Sequence, residues 1–165
     1  MKQVVLHWST SVLIFMMILM GFNMTAIDPA TPERLFVSRM HSGIGMTILA
    51  LTIARLIVKL RGKSPSPLPL PALHLRGISI IHGAFYVVIF AILASGLASA
   101  VSTHWGEYLG GEQPLPPDFK GVVPREAHEL FVFALLGLTA LHVGGVIVQE
   151  FRGGGALRRM LPFLK

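Results

Sequence analysis

The sequence predicts an all-α membrane protein, a bundle of four transmembrane helices with both termini in the cytoplasm. Of the 165 residues 53% are hydrophobic, and the mean hydropathy of +0.67 is too high for a soluble domain of this length. Four segments are long and apolar enough to cross a hydrocarbon core of roughly 30 Å. They cover about residues 4–25, 37–60, 77–101 and 125–150. Because backbone amides in lipid must be hydrogen-bonded within their own segment, we expect helices, in a single integral membrane domain over residues 1–165.

The positions of the positive charges predict the orientation. With the N-terminus inside, the cytoplasmic side carries most of the 14 lysines and arginines, as the positive-inside rule demands. The cytoplasmic set is Lys2, Arg55, Lys59, Arg61, Lys63, Arg76, Arg152, Arg158, Arg159 and Lys165. The outer set is Arg34, Arg39, Lys120 and Arg125. The formal net charge of +6 therefore reflects topology. We expect contact with lipid and no nucleic acid partner.

The first segment opens with Leu6-His7-Trp8, and Trp8 suits the inner membrane interface. His7 is either a functional residue or an interfacial histidine that faces lipid headgroups. We expect the segment to be retained, because its apolar run is longer than that of a usual signal peptide and no small-residue cleavage site follows it. Thr31-Pro32-Glu33 predicts a helix cap before the second segment.

The second segment carries a histidine near its outer end and an arginine near its inner end. Gly43 and Gly45 leave room beside His41 for a flat macrocycle or for a neighbouring helix. Arg55 follows His41 by 14 positions on the same face, where it either reaches the inner surface or neutralises a carboxylate of a buried cofactor. Lys59–Leu73 reads as a cytoplasmic linker with an extended proline-rich stretch over 64–71.

The remaining histidines divide into loop and span positions. His74 is expected in a solvated loop before the third segment, whereas His82 lies in the first turns of that segment at the inner side, next to Gly83. The outer loop over 102–124 contains His104, expected to be exposed, and Trp105 and Tyr108, expected at the interface. Its prolines are expected to prevent regular structure. The tail after residue 150 is expected to be a basic cytoplasmic end.

The last segment carries His128 and His142, 14 positions apart. On a helix this spacing is roughly 21 Å, and the two side chains point within about 40° of each other. One helix therefore offers an imidazole near each membrane face. Neutral imidazole is a haem-iron ligand, and an intramembrane histidine is a functional candidate by default. The chain has no cysteine, which excludes thiolate ligation, disulfides and covalent haem attachment through cysteine.

Sorted by depth, the spanning histidines form two layers. His41 and His128 lie at the outer side, and His7, His82 and His142 lie at the inner side. Each layer can supply a bis-histidine pair, so the sequence predicts two haems b, with one inner histidine to spare. Iron with two axial histidines has no open position for oxygen chemistry, which favours electron transfer. A structural protein with interfacial histidines is the alternative, and it requires five histidines to match in depth by chance.

Several short motifs, in order along nearly the whole chain, resemble the bacterial cytochrome b561 family. They are Leu6-His7-Trp8, Met40-His41-Ser42, Ala54-Arg55 through Lys59, His82 through Tyr86, Ala127-His128-Glu129, Leu141-His142 and Leu157 through Pro162. The resemblance implies a four-helix di-haem cytochrome of the bacterial inner membrane. It further implies that His7 and His142 hold the cytoplasmic-side haem, and that His41 and His128 hold the periplasmic-side haem, with Arg55 and Gly45 as further cofactor-binding residues.

The same resemblance implies an oxidoreductase that passes electrons from periplasmic superoxide to ubiquinone, with the quinone near His82, Trp8 and Gln149. The alternative is an electron-relay or anchor subunit that a periplasmic redox protein feeds. The chain departs from the family at Gln149, where relatives often have a histidine. A glutamine side chain donates and accepts hydrogen bonds, but it cannot shuttle a proton as imidazole does.

Overall fold

The computed structural model describes residues 2–62, 71–153, 155, 157, 160 and 161. Within these residues the chain forms helices and no strands. The helices are α1 (Lys2–Ala26), α2 (Pro32–Arg61), α3 (Ala72–Ser102), α4 (Trp105–Gly110) and α5 (Val123–Phe151). All but the short α4 are long and apolar enough to cross a membrane. The predicted all-α bundle of four transmembrane helices is therefore confirmed, whereas its orientation stays a prediction.

Every spanning helix is longer than the apolar run that predicted it. α2 begins at Pro32, before residue 37, because Thr31 caps it: the Thr31 hydroxyl accepts a hydrogen bond from the Arg34 amide at 3.3 Å. α3 begins at Ala72, so the expectation that His74 lies in a loop is wrong. His74 is an exposed residue of the first turn of α3, since alanine and leucine extend the helix beyond the apolar run. Residues 64–70 of the predicted proline-rich stretch lie outside the described residues.

The four spanning helices pack as two pairs, α1 with α2 and α3 with α5. We call the end that contains the α1–α2 loop and α4 the outer end, and the end that contains the N-terminus the inner end. The two pairs meet closely at mid-height, where Ile48, Ile89 and Leu135 form a buried cluster with side chains from all four helices around it. Above and below this apolar layer, histidine side chains of the two helix pairs face each other.

The surface and the helix contacts have the character expected in lipid. Large apolar side chains point outwards along every span, for example Phe15, Val87 and Leu130, which implies contact with lipid. Small polar side chains lie between helices instead. Ser95 and Ser99 are buried on α3, and their hydroxyls donate to backbone carbonyls of the preceding turn, at 2.7 Å and 2.8 Å. Such residues allow close helix approach without an unsatisfied hydroxyl.

The outer loop differs from its expectation. Residues 105–110 form α4, and Trp105 and Tyr108 are buried, with Tyr108 only 1% exposed. The prolines of this loop all follow Gly111, whose positive φ of 86° ends the helix, so they do not disturb it. α4 packs across the outer ends of α2 and α3. His104 is exposed, as expected.

Candidate functional site

At the outer end, α2 and α5 bring two imidazoles together. The ring centroids of His41 and His128 are 6.4 Å apart, and the ring planes are inclined at 62°. The Nδ1 atom of His128 lies 2.9 Å from the carbonyl oxygen of Ile92 on α3. Because a carbonyl only accepts, this nitrogen carries the hydrogen and donates it. Nε2 of His128 is therefore left with a free lone pair, the form that binds a metal.

Two glycines make space for these outer rings. A Cβ atom added at Gly96 on α3 would lie 3.1 Å from both Cε1 and Nδ1 of His128, closer than side chains normally approach. A Cβ atom at Gly21 on α1 would lie 3.8 Å from Cε1 of His41, an ordinary contact. The Nδ1 atom of His41 is buried without a hydrogen-bond partner among the described residues. A buried imidazole nitrogen without a partner is costly unless it has a ligand to bind.

At the inner end, three histidines from α1, α3 and α5 converge. The ring centroids of His7 and His142 are 6.4 Å apart, with planes inclined at 64°, almost the same arrangement as in the outer pair. His82 lies nearer to His142, at 5.4 Å, and Phe85 packs edge-on against the same ring at 5.5 Å. His142 is therefore the common member of two possible pairs.

Positive charge adjoins this inner group. Nη2 of Arg55 lies 3.4 Å from Nδ1 of His7, and the Arg55 guanidinium lies 5.9 Å from the centre of the Tyr86 ring. The Lys59 ammonium lies over the same ring at 4.8 Å, one turn further along α2. Tyr86 follows His82 by one turn of α3. The two cations of α2, Arg55 and Lys59, therefore face the two ring side chains of α3.

The residues fit haem at both layers. A ring nitrogen binds a transition metal at about 2 Å, so two imidazoles on opposite sides of one iron have centroids roughly 6 Å apart. The pairs His41–His128 and His7–His142 match that separation, whereas His82–His142 at 5.4 Å is short of it. In the part of the chain that the structure describes, no group of three or more His, Cys, Asp and Glu side chains is arranged to hold a bare metal ion. A macrocycle that supplies the other ligands suits these pairs.

The residues predicted around the quinone are brought together only in part. His82 is exposed beside His142, and Trp8 contacts the His7 ring at 5.5 Å and donates from Nε1 to the carbonyl of Met160 at 2.8 Å. Gln149 is half-buried on α5. Among the described residues, no hydrogen bond or ring contact joins Gln149 to His82 or Trp8. Gly45 faces α1, where an added Cβ would meet Met17 at 3.7 Å, so its place beside a cofactor stays a prediction.

α4 covers the outer pair. Nε1 of Trp105 donates to the hydroxyl of Ser42, the residue after His41, at 3.0 Å. The Trp105 ring is packed between Tyr108 at 5.2 Å and Phe119 at 5.4 Å. Nε of Arg39 donates to the Leu109 carbonyl at 2.8 Å, near the C-terminal end of α4, where a cation is favoured. The cap therefore fixes both the neighbour of one imidazole and an outer arginine.

Sequence reasoning missed several of these residues. Each of them lies close to a histidine side chain or to the residue next to a histidine. They are Gly21, Phe85, Ile92, Ser95, Gly96 and Trp105. A signal for the glycines was present, since Gly21 follows His7, and Gly96 follows His82, by the same 14 positions that separate His128 from His142. For Trp105 and for the Ile92 carbonyl the sequence contains no comparable signal.

Comparison with known proteins identifies one family. The family model described as prokaryotic cytochrome b561 matches residues 3–163, nearly the whole chain. No curated protein and no solved structure matches the chain significantly.

Proposed function

This chain belongs to the prokaryotic cytochrome b561 family, and from that premise we propose that it is a di-haem oxidoreductase of the bacterial inner membrane that oxidises superoxide and reduces ubiquinone. Family membership and the four spans already make it a multi-pass bacterial membrane protein, a b-type cytochrome that binds haem b and transfers electrons. The observation that carries the di-haem proposal is the recurrence of one histidine pair at two depths, each with centroids 6.4 Å apart.

His41 and His128 hold the outer haem, and His7 and His142 hold the inner haem. The bound haem supplies one-electron transfer at its iron. The protein orients the ligands: the Ile92 carbonyl fixes the ring of His128, and the two α5 ligands are separated by roughly 21 Å along the helix, which spans most of the membrane. The apolar layer around Ile48 and Leu135 keeps water out of the space between the two sites.

The net reaction consumes two superoxide anions, which lose one electron each and become dioxygen. One ubiquinone gains those two electrons and two protons and becomes ubiquinol. Arg39 and Arg125 are the outer cations nearest to the outer ligands in sequence, and Arg125 lies 3.8 Å from the Glu129 carboxylate. They attract an anion locally against the acidic surroundings. At the inner end, exposed His82 supplies a protonatable group beside the quinone, next to Trp8, and Gln149 supplies hydrogen bonds alone.

The second candidate function is electron relay from a periplasmic redox protein to the quinone pool. Seven acidic side chains are exposed around the outer end, a surface that suits a basic partner. They are Asp28, Glu33, Glu107, Glu112, Asp118, Glu126 and Glu129. The two-haem arrangement serves this function equally well.

A haem count and a reduced-minus-oxidised visible spectrum test the ligands. For the purified wild type we expect two low-spin b haems per chain. His128→Ala should lose one of them, since it removes one axial ligand of the outer pair, and His82→Ala should keep both. Loss of a haem in His82→Ala, with both retained in His7→Ala, would overturn the inner assignment. A wild type without haem would contradict both functions.

Superoxide-driven quinone reduction separates the two functions. The purified chain, given enzymatically generated superoxide and a soluble ubiquinone analogue, should form one quinol for every two superoxide anions consumed. Superoxide dismutase should abolish the reaction, and a haem-free His41→Ala/His142→Ala variant should lack it. If quinone is reduced only after a basic periplasmic electron carrier is added, the relay function replaces the superoxide function.

A further inference from the structure

We propose that Arg55 sets the direction of electron transfer, by raising the reduction potential of the inner haem above that of the outer haem. This inference rests on the proposed two-haem function and deepens it. Arg55 does not contact a substrate; it acts through the ligand His7 and is therefore a positioning residue for charge. The two histidine pairs are alike in ring separation, and they differ in the groups that face their imidazole nitrogens.

At the outer pair one imidazole nitrogen faces the negative end of a dipole. Nδ1 of His128 donates to the Ile92 carbonyl at 2.9 Å, and such a bond makes the imidazole a more electron-rich ligand. Electron density pushed towards the iron favours the oxidised form. The charges beside this pair largely offset each other, because the Glu129 carboxylate lies 3.8 Å from the Arg125 guanidinium. The outer site is therefore biased towards giving an electron away.

At the inner pair an imidazole nitrogen faces a positive charge instead. Nη2 of Arg55 lies 3.4 Å from Nδ1 of His7, and the Lys59 ammonium lies one turn away over Tyr86. Among the described residues no carboxylate lies within ion-pair distance of either cation. The half-buried Arg55 guanidinium is screened weakly within a bilayer, so it favours the iron state that carries less positive charge. That state is the reduced one.

The bias gives a direction to the transfer. One electron leaves the outer haem iron, which is oxidised, and arrives at the inner haem iron, which is reduced. We expect the Arg55 charge to favour this transfer about tenfold in equilibrium constant, which corresponds to about 59 mV for one electron. Electrons then accumulate on the side where His82 and the quinone lie.

Potentiometric titration of the inner haem alone tests this inference. The test uses a His128→Ala background, which is expected to retain only the inner haem. In this background Arg55→Gln should lower the midpoint potential by about 59 mV, which corresponds to a tenfold change in the equilibrium constant. Arg55→Lys should keep it near the starting value because the charge is retained. Arg39→Gln, on the same helix at the outer end, is the matched control and should leave the potential unchanged.

An unchanged or raised potential in Arg55→Gln would overturn the inference, as would an Arg55→Lys variant with a potential as low as that of Arg55→Gln. If Arg55→Gln fails to hold haem, Lys59→Gln is measured in its place. We expect it to lower the midpoint potential by a smaller amount, and an unchanged potential would contradict the inference. The haem spectrum keeps this outcome distinct from failure of the proposed function. A background protein without any haem contradicts the two-haem function, whereas a normal haem with an insensitive potential contradicts only the role of Arg55.

Discussion

At the scale of single residues, the 14-residue spacing occurs on every spanning helix. The second member of each pair is a histidine, an arginine or a glycine on the same face as the first. The pairs are His7 with Gly21, His41 with Arg55, His82 with Gly96, and His128 with His142. Where a helix offers a ring at one end and a glycine at the other, the glycine leaves space for the rings that neighbouring helices supply. In each histidine layer, small residues therefore leave room beside the rings that the neighbouring helices supply.

The glycine at position 96 is expected to set the orientation of the His128 ring. An added Cβ would meet Cε1 and Nδ1 of His128 at 3.1 Å, on a ring already held by the Ile92 carbonyl. Gly96→Ala should therefore displace the ring by a few tenths of an ångström and destabilise the protein by about 1–3 kcal/mol, the usual effect of overpacking. Low-spin electron paramagnetic resonance of the oxidised protein, which is sensitive to ligand orientation, should show an altered outer signal and an unchanged inner signal.

Gly21→Ala is the matched control for that variant. Its added Cβ would lie 3.8 Å from the His41 ring, an ordinary van der Waals contact. The signals of both haems should stay as in the wild type. Equal perturbation by the two substitutions would mean that the general loss of glycine in a helix, and not the contact with His128, governs the outer site.

At the scale of helices, the long spans were predictable and the short α4 was not. Each span has an apolar run long enough for the bilayer, and this constraint leaves helices as the only solution. The helices extend beyond these apolar runs into polar sequence, because the ends of a helix are set by capping residues such as Thr31 and not by hydropathy. α4 is only 6 residues long, and its existence depends on burial of Trp105 and Tyr108 against α2 and α3. Such tertiary contacts leave no periodic pattern in a short sequence.

The candidate site was also predictable only in part. Histidine depth follows from helix rise, so the membership of each layer could be read from the chain. The partner of His142 could not, because His7 and His82 lie at one depth and only the ring distances of 6.4 Å and 5.4 Å distinguish them. The prediction of His7 as the ligand came from the family resemblance, and it stays a prediction.

α4 is expected to stabilise the outer half of the bundle through one hydrogen bond. Trp105→Phe retains much of the aromatic packing against Tyr108 and Phe119 but removes the donor to Ser42. The loss should cost about 1–2 kcal/mol, the usual contribution of a partly buried hydrogen bond together with the hydroxyl left without a partner. Thermal unfolding in detergent measures this loss of stability, and the absorbance of the outer haem should be lost before that of the inner haem.

Ser42→Ala should destabilise the protein as much as Trp105→Phe does, and the double variant should add little. Additive effects would exclude the bond as the cause.

At the scale of the whole molecule, the charges at the two ends are opposite. The outer end exposes seven carboxylates, and among the described residues the inner end combines Arg55 and Lys59 with Arg61, Arg76 and Arg152. In the predicted orientation, this separation of charge would have two effects. We expect the cations to keep the inner end in the cytoplasm, and we propose that Arg55 and Lys59, which lie close to the inner histidines, favour an electron there. Insertion and the direction of electron transfer would then depend on the same asymmetry.

That orientation can be tested directly because the chain contains no cysteine. Asp118→Cys, in the exposed loop after α4, and Arg61→Cys, at the exposed inner end of α2, each introduce a single thiol. With the outer end in the periplasm, a membrane-impermeant maleimide added to spheroplasts should label the thiol at position 118 at once. The thiol at position 61 should react only after the membrane is permeabilised. The reverse pattern would put the acidic end inside, and it would remove the periplasmic superoxide function together with the proposed direction of electron transfer. Labelling of both thiols in intact spheroplasts would contradict a fixed orientation, because the two positions lie at opposite ends of the bundle.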